Sequence, residues 1–322
     1  MRVLVTGANG FIGSALCRRL SDAGHEVIAA VRTSENPVPN AARQILVGKI
    51  DATTDWRAAL AGCRVVIHLA GYAHHSETDA TGVHAAFWQT NVVGTERLMR
   101  QAIESGIETC VFMSSCKAIG ERSPLSLAGT PLALSHVSTT LPEGPYGQSK
   151  LAAERLLTQG CTDAGISLTI LRPPLVYGPG VKGNIATLLG AIWRGLPLPL
   201  GSIRNLRSFI HRENLIEAVL AALVADIRGV RTYTLADCTF STPELVRRLA
   251  SGLGKRARIY RCPVPILEGL GRLSGKSPAV ARLTESLVLD STEITADLNW
   301  RPSLKLDAAW HEVGEIYLQQ HA

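Results

Sequence analysis

The first sixteen residues constrain the fold more than any other stretch of the chain. They read Met1-Arg-Val-Leu-Val-Thr-Gly7-Ala-Asn-Gly10-Phe-Ile-Gly13-Ser-Ala-Leu16, an apolar strand, three glycines three residues apart, then an apolar helix. Glycine permits a tight turn, a close approach of backbone to a ligand, and close packing of the helix on the strand. The N-terminus of the following helix offers unpaired N–H groups to a phosphate. With a strand before it and a helix after it, such a turn is the setting of a dinucleotide pyrophosphate site.

The rest of the first half repeats the alternation. Residues 2–6, 26–32, 43–48, 64–69, 108–114 and 167–171 read as short strands rich in Val, Ile and Leu. Amphipathic stretches at 12–23, 56–61, 87–105 and 146–161 separate them. Near-continuous apolar strands alternating with helices predict a parallel sheet covered on both faces. Right-handed crossovers then predict a doubly wound α/β order, a Rossmann fold. After Pro173 the pattern breaks. Gly195-Leu-Pro197-Leu-Pro199-Leu-Gly201 marks an irregular segment. Residues 230–235 read as a late strand returning to the sheet. Ser241-Thr-Pro-Glu244 predicts a helix start, with Thr242 as N-cap and Pro243 at the first helical position. A smaller mixed α/β C-terminal lobe is therefore expected, with a substrate lying between the lobes, outside the carboxyl ends of the strands.

One pair carries the chemistry. Tyr146 and Lys150 stand four residues apart at the head of Pro145-Tyr-Gly-Gln-Ser-Lys-Leu-Ala-Ala-Glu-Arg-Leu-Leu. Residues at i and i+4 share a helix face, so the ammonium can sit beside the phenol and favour its ionised form. Acid/base work near neutral pH needs the phenol lowered by roughly three units, about 4 kcal/mol. A hydride moving between a nicotinamide and an alcohol carbon requires one proton moved in parallel, which such a phenol can do.

These motifs resemble the extended short-chain dehydrogenase/reductase superfamily, in its NAD(P)-dependent epimerase/dehydratase family. The resemblance covers nearly the whole chain. Its parts, in order, are the Thr6-Gly7 glycine turn, His68-Leu-Ala70-Gly71, Asn91-Val-Val-Gly-Thr95, Val111-Phe-Met-Ser-Ser115-Cys-Lys-Ala-Ile-Gly120, Arg172-Pro-Pro-Leu-Val-Tyr-Gly-Pro-Gly180 and Leu298-Asn-Trp300-Arg-Pro302. It implies Tyr146 as acid/base, Lys150 as its tuner and ribose anchor, and Ser115 as the hydroxyl that orients the substrate oxygen. Ser115 is preferred to Ser114 because it lies five residues before Gly120, and strand alternation sends the two serines to opposite faces. Cofactor contacts are implied at Gly7, Gly10, Phe11, Ile12, Gly13, Arg32, Ile50, Asp51, Leu69, Ala70, Gly71, Asn91, Tyr146, Lys150, Pro173 and Val176. Substrate contacts are implied at Ser115, Lys117, Asn184, Arg207 and Arg282. Residues 1–172, with about 208–240, are expected to form the NAD(P)-binding Rossmann domain. About 173–207 and 241–322 are expected to form a nucleotide-sugar-binding lobe. A homodimer through the helices at 87–105 and 146–161 is also implied.

The cofactor reading turns on the end of the second strand. Strand 2 ends Ala29-Ala30-Val31-Arg32, with no acid before Glu35, and Arg32 stands where NAD enzymes carry a carboxylate for the ribose. A planar cation suits a 2′-phosphate, so NADP is favoured over NAD. Lys49 replaces the usual acid in Gly48-Lys49-Ile50-Asp51, and Asp51 is the substitute partner for the adenine amine. The chain is most similar to bacterial UDP-sugar 4-epimerases and 4-ketoreductases of surface-polysaccharide biosynthesis. With NADPH as donor, reduction of a UDP-4-keto-6-deoxy-hexosamine is the favoured expectation, and a UDP-sugar 4-epimerase with bound NAD is the alternative. Leu175 stands where many sugar epimerases carry an Asn, which argues against a standard galactose epimerase. A reductase of a lipophilic ketone would lack the basic pair Arg207 and Arg282, and a non-catalytic sensor would lose Tyr146 or Lys150.

Composition narrows the class. The 322 residues are 46% hydrophobic and 19% charged, ordinary for an α/β enzyme with one or two cores. The net charge of +6 comes without a block of five or six cations or an interleaved aromatic platform, so a nucleic-acid partner is not expected. Cys17, Cys63, Cys110, Cys116, Cys161, Cys238 and Cys262 form no C-x-x-C, and no apolar run of 18 residues appears. A reduced, cytoplasmic compartment with no membrane insertion is the expectation. Cys116 reads as a small buried filler. His74-His75 has no third ligand at metal spacing, so no metal site is expected.

Overall fold

Side chains alternate across the main sheet as the period-2 rule requires. In β1 (Arg2–Thr6), Val3 and Val5 enter one core while Leu4 enters another. The first core packs α1 (Gly13–Asp22) and α7 (Arg212–Val224) on one face through Leu16, Leu20, Leu215 and Val219. Against the other face lie α2 (Arg57–Leu60), α4 (Gly94–Glu104) and α5 (Pro145–Ala164), through Leu60, Leu98 and Leu157. Each of these leucines is nearly or fully buried, contributing about 1.5–3 kcal/mol by removal from water. The computed structural model describes residues 1–321 except residue 36 and residues 74–79, with the backbone alone for 80–83. His74 and His75 therefore lie outside the described residues.

Among the described residues, seven strands form one parallel sheet: β1, β2 (Glu26–Val31), β3 (Arg43–Leu46), β4 (Val65–His68), β5 (Thr109–Met113), β6 (Ser167–Arg172) and β9 (Val230–Thr234). Their order is β3-β2-β1-β4-β5-β6-β9. The chain winds outward from β1 to β3, returns, and winds the other way from β4. The reversal opens a crevice between the carboxyl ends of β1 and β4, where Thr6 lies level with His68. Ligands of doubly wound sheets bind at such a switch point.

A second sheet of three strands follows: β7 (Leu175–Tyr177), β8 (Arg207–His211) and β10 (Cys238–Phe240), in the order β10-β8-β7. Residues 208–240 thus supply α7 and β9 to the layers of the main sheet, while the bracketing strands β8 and β10 pair with each other and β8 also pairs with β7. Helix α11 (Thr292–Leu298) packs on the first core through Ile294 and Leu298, and five helices of the described residues complete the C-terminal lobe: α6 (Asn184–Trp193), α8 (Thr242–Gly252), α9 (Val264–Leu273), α10 (Ser277–Thr284) and α12 (Leu306–His321). Tyr177, Phe209, Phe240, Leu249 and Trp310 form its core, with the Tyr177 ring stacked on Trp310 at 4.0 Å. No helix of the described residues is long and apolar enough to cross a membrane.

Two local expectations are corrected. The N-cap of α8 is Ser241, whose side chain accepts from the Glu244 amide. Thr242 falls one residue inside, and its hydroxyl donates to the Leu283 carbonyl at 2.7 Å. A hydroxyl free to choose between a cap and a tertiary partner is not resolved by local spacing. The helix expected from residue 87 starts earlier, as α3 (Ala80–Trp88), and joins α4 through a π-helical turn at Gln89–Val93. That wider turn carries Asn91, and such bulges recur at functional sites.

The close crossing of α8 and α12 depends on two glycines. A Cβ on Gly314 would lie 2.1 Å from the Gly252 carbonyl oxygen, and one on Gly252 would lie 2.2 Å from the Trp310 carbonyl oxygen. Gly314→Ala is expected to lose about 1–3 kcal/mol by overpacking backbone that cannot yield. Urea denaturation would show this as a lower midpoint. A midpoint equal to wild type would mean that the helices do not approach this closely.

Candidate active site

The glycine turn is built by steric necessity. Gly7 has a φ of +66°, and a Cβ there would lie 2.9 Å from the Ala70 amide nitrogen. At Gly13 it would lie 2.2 Å from the Gly7 carbonyl oxygen. The first glycine therefore lets the β1 turn press against the end of β4, and the third lets α1 sit on that turn. Helix α1 has no side-chain cap at Ile12, which leaves its first amides to an anion. Across the crevice, a Cβ on Gly71 would lie 3.3 Å from both the Asn91 Oδ1 and the Lys150 Nζ. This narrow, side-chain-free cradle between a bare helix N-terminus and a buried amine fits a dinucleotide.

A directed chain of hydrogen bonds joins the two walls. The Ala70 amide donates to Thr6 Oγ1 at 3.0 Å, and Thr6 Oγ1 lies 2.7 Å from His68 Nδ1. His68 Nε2 lies 2.9 Å from Thr95 Oγ1, which donates to the Asn91 carbonyl at 2.7 Å. Since Thr95 spends its proton on that carbonyl, His68 must donate from Nε2 and accept at Nδ1, the neutral tautomer. Burial agrees. It pulls His68 down to about 3, with the Lys150 charge adding to the effect. The Asn91 side chain continues the chain. It accepts from the Tyr72 amide at 2.7 Å and donates to the Tyr72 carbonyl and to Ser149 Oγ, which in turn donates to the Tyr146 carbonyl at 2.8 Å.

Ser115, Tyr146 and Lys150 come together at the carboxyl end of β5. Ser115 is extended and caps the 3-10 turn Cys116–Ala118, its Oγ accepting from the Lys117 amide at 3.2 Å. The same hydroxyl lies close enough to the Tyr146 phenol to lower its pKa. Gly147 makes this possible, because a Cβ there would lie 2.3 Å from the Lys117 carbonyl oxygen. Lys150 is 4% exposed, donates to the Met113 carbonyl at 2.8 Å, and sits 4.7 Å above the Phe112 ring. Ser114 turns elsewhere. It bonds Glu154, whose carboxylate also takes the Arg172 guanidinium in a buried two-pronged pair at 3.0 and 2.7 Å.

The expectation of a lowered phenol joins Lys150 to a cationic cofactor ring, and with the protein's own groups alone burial dominates. Burial pushes Tyr146 up to about 12, the Cys116 thiol adds to this, and the Ser115 hydroxyl opposes it. Lys150 is itself pulled down to about 8 by burial, with Glu154 opposing. Each group is driven toward its neutral form because desolvation is the largest influence on both.

The remaining residues lie at the two ends of the crevice. Arg32 is exposed just beyond β2 and makes no ion pair among the described residues. Ile50 packs where a Cβ on Gly94 would meet its Cγ2 at 2.4 Å. Asp51 is held below the usual carboxylate range by its bonds to Thr53, and Lys49 lies 3.8 Å away. On the other side, Lys117 pairs with Glu121 at 3.1 Å. Arg207 donates to the Glu285 carbonyl at 3.2 Å. Burial lowers Arg207, Cys116 and the carboxylates of Glu285 and Glu121 oppose, and the nearby Arg282 charge adds to the lowering. Arg207, Lys117 and Glu121 thus lie close enough to act on the Cys116 thiol, next to Ser115, while Glu285 and Arg282 act on Arg207. Asn184 opens α6, is exposed, and has no hydrogen bond to that cluster among the described residues. Phe11 lies under Arg212, whose Cζ is 5.2 Å from the ring centroid. Leu69 and Val176 are partly buried and pack on the first core, and the Pro173 carbonyl accepts from the Cys116 amide at 3.0 Å. Sequence reasoning missed Thr6, Thr95, Ser149 and Glu154 as parts of the site, along with the reason for Gly147.

Comparison with known proteins adds a context. A sequence profile described as NAD dependent epimerase/dehydratase family matches residues 3–236. The chain is 34% identical over 322 residues to UDP-glucose 4-epimerase of Vibrio cholerae, covering 98% of this chain and 95% of that protein. It is 24% identical to N-acetyl-alpha-D-glucosaminyl-diphospho-ditrans,octacis-undecaprenol 4-epimerase of Escherichia coli O157:H7, over 91% of this chain and 87% of the other. The backbone superposes with a TM-score of 0.79 on MoeE5 in complex with UDP-glucose and NAD, 26% identical, with 100% of both chains covered.

Two measurements follow from the geometry. His68 has a folded pKa depressed from 6.5 to about 3, so its contribution is fully present above pH 6.5 and is lost as pH falls toward 3. Stability should decline in that window by up to about 1.4 kcal/mol per pH unit on its account. His68→Gln should be less stable at pH 7 yet flatter with pH, and equal slopes in the two proteins would contradict a buried neutral imidazole. Gly147→Ala should push the Lys117 carbonyl and Ser115 away from Tyr146, lowering turnover by about tenfold or more for a displacement near 1 Å. Unaltered turnover would show that the turn can shift without cost.

Proposed function

Because the chain belongs to the NAD dependent epimerase/dehydratase family, we propose that it inverts carbon 4 of a UDP-linked sugar with NAD held at the β1–β4 switch point. The observation that carries this reading is the convergence of the Ser115 hydroxyl, the Tyr146 phenol and the Lys150 amine beside the cradle at Gly7, Gly13 and Gly71. The Vibrio cholerae relative supports epimerisation over reduction, and the UDP-glucose and NAD of the MoeE5 complex support the ligand pair.

In this mechanism Gly7, Gly10, Phe11, Ile12 and Gly13 hold the pyrophosphate against the start of α1. Asn91 and Lys150 hold the ribose side. When bound, NAD would supply the acceptor and then the donor of the carbon-4 hydride. Tyr146 accepts the proton of the carbon-4 hydroxyl and gives it back to the same oxygen. Ser115 donates a hydrogen bond to that oxygen and fixes its distance from the phenol. Inversion requires the sugar to present its other face between the two transfers. The diphosphate must stay anchored meanwhile, and Arg207 and Arg282 are the cations proposed for it. A diphosphate is also the feature shared with the lipid-linked substrate in the name of the Escherichia coli relative.

One observation favours a second reading. Arg32 makes no ion pair among the described residues and stands where an NAD enzyme would carry an acid, and it suits a 2′-phosphate. Under that reading the protein exchanges NADPH and reduces a UDP-4-keto sugar.

A single set of assays separates the two. Purified protein is denatured to identify any released dinucleotide, and the native protein is incubated with UDP-hexoses without added cofactor. Epimerisation is expected to give carbon-4 epimers under these conditions. Tyr146→Phe should retain dinucleotide while turnover falls by roughly 10³-fold or more, the upper range for loss of a positioned acid/base. NADPH consumption with UDP-4-keto sugars and no epimer exchange would replace the first reading by the second. Full turnover of Tyr146→Phe would reject both.

A further inference from the structure

The chain holds 33 Lys and Arg against 27 Asp and Glu. Seven of those cations and one of those carboxylates lie in residues 255–284, which leaves the rest of the chain balanced at 26 of each. The whole excess is therefore local: Lys255, Arg256, Arg258, Arg261, Arg272, Lys276 and Arg282, with Glu268 as the lone acid. All but Arg282 of these cations are exposed. Lys255 and Arg258 hold the carbonyls of Trp193 and Gly195. Arg256, Arg261, Arg272 and Lys276 make no ion pair among the described residues.

Helix α9 runs through the middle of this segment with two faces. Leu267 and Gly271 turn inward, Gly271 so close to α10 that a Cβ would lie 2.7 Å from Val280 Cγ2. Ile266, Leu270 and Leu273 share the opposite face at spacings of four and three, and they are 53%, 58% and 88% exposed. Tyr260, just upstream, is 50% exposed.

We propose that α9 and its basic flanks dock the protein on the surface of an anionic lipid bilayer, without spanning it. A helix with an apolar face and flanking Lys and Arg lies in the plane of the headgroups, its aliphatic side chains at the acyl boundary. Unpaired cations are drawn to an anionic leaflet, and a tyrosine suits the headgroup level. Two other occupants fit less well. Nucleic acid would meet the cations but leave three exposed aliphatic side chains with nothing to gain. A second copy would bring the same positive charge against itself. The other exposed apolar run, Leu125, Leu127, Leu132 and Val137, carries no such charge, since residues 121–143 hold Arg122 against Glu121 and Glu143. This proposal does not depend on the reaction proposed above.

Vesicle flotation of the full chain tests it. Wild type should float with phosphatidylcholine vesicles containing about 30% phosphatidylglycerol at about 0.1 M salt, and roughly tenfold less at about 0.5 M salt or with phosphatidylcholine alone. The pair Leu270→Glu and Leu273→Glu, and separately the pair Arg256→Glu and Arg261→Glu, should each lower the bound fraction by about tenfold with Tm unchanged. Failure to float with any vesicle, or flotation unaltered in both double variants, would overturn the proposal. Self-association abolished by the leucine pair, or duplex DNA binding abolished by the arginine pair, in a protein that ignores vesicles would assign the face to that partner and overturn it equally.

Discussion

The run of hydrogen bonds from Thr6 through His68 to Thr95 and Asn91 is the contact on which the site depends. It starts at the last ladder pair of β1 and β4, Thr6 and His68, beyond which the two connections diverge and no main-chain ladder ties the walls together. Each member has one orientation available. The Ala70 amide fixes the Thr6 hydroxyl, the Thr6 hydroxyl fixes the imidazole tautomer, and the imidazole fixes Thr95. Breaking such a chain strands buried donors and acceptors at about 1–3 kcal/mol each. The π-helical turn that carries Asn91 then passes the constraint to Ser149 and so to the first turn of α5. The glycine turn and the Tyr146 helix are thereby held in one frame, although their sequences are more than a hundred residues apart.

Backbone contacts set the remaining distances. At Gly13, Gly94 and Gly147 a Cβ would lie within 2.4 Å of a neighbour, and at each the chain brings two functional segments together. The Gly147 contact seats the Lys117 carbonyl on α5, and this places Ser115 against Tyr146 while Ser114 turns to Glu154. The buried Glu154–Arg172 pair then ties α5 to the end of β6. A buried ion pair of this kind is weak evidence for stability. Its place one helical turn after Lys150 gives it another consequence, since the Glu154 carboxylate partly offsets the desolvation that lowers the amine.

The alternation of apolar strands and amphipathic helices was enough to predict the doubly wound sheet, because the inner main-sheet strands are buried on both faces and read as nearly continuous apolar runs. The family resemblance reached Tyr146, Lys150 and Ser115 through spacing. The polar frame around them was not legible. Thr6, Thr95 and Ser149 are ordinary residues for a strand end or a helix, and only the fold shows that they meet one imidazole or one amide. Strands β7 and β10 have three residues each, too few for a period of two to declare itself. Arg207 was readable as a cation, whereas its proximity to Cys116 and Arg282 comes from segments that only tertiary packing joins.

The protonation states of Tyr146 and Lys150 link binding to reactivity. Burial raises the phenol to about 12 and lowers the amine to about 8, so at neutral pH the phenol is protonated while the amine keeps most of its charge. Lowering the phenol into a useful range requires a positive charge nearby that is not itself weakened by the same desolvation. Lys150 alone does not meet that condition, because its Nζ is committed to the Met113 carbonyl and lies in the same dry pocket. A permanently cationic ligand ring beside the phenol would meet it, since its charge does not titrate. With such a charge beside it, the phenol would fall toward the range in which it can exchange a proton. The phenol therefore stays protonated while no such charge is near and would become a proton acceptor when a cation arrives, which ties proton transfer to the loaded site.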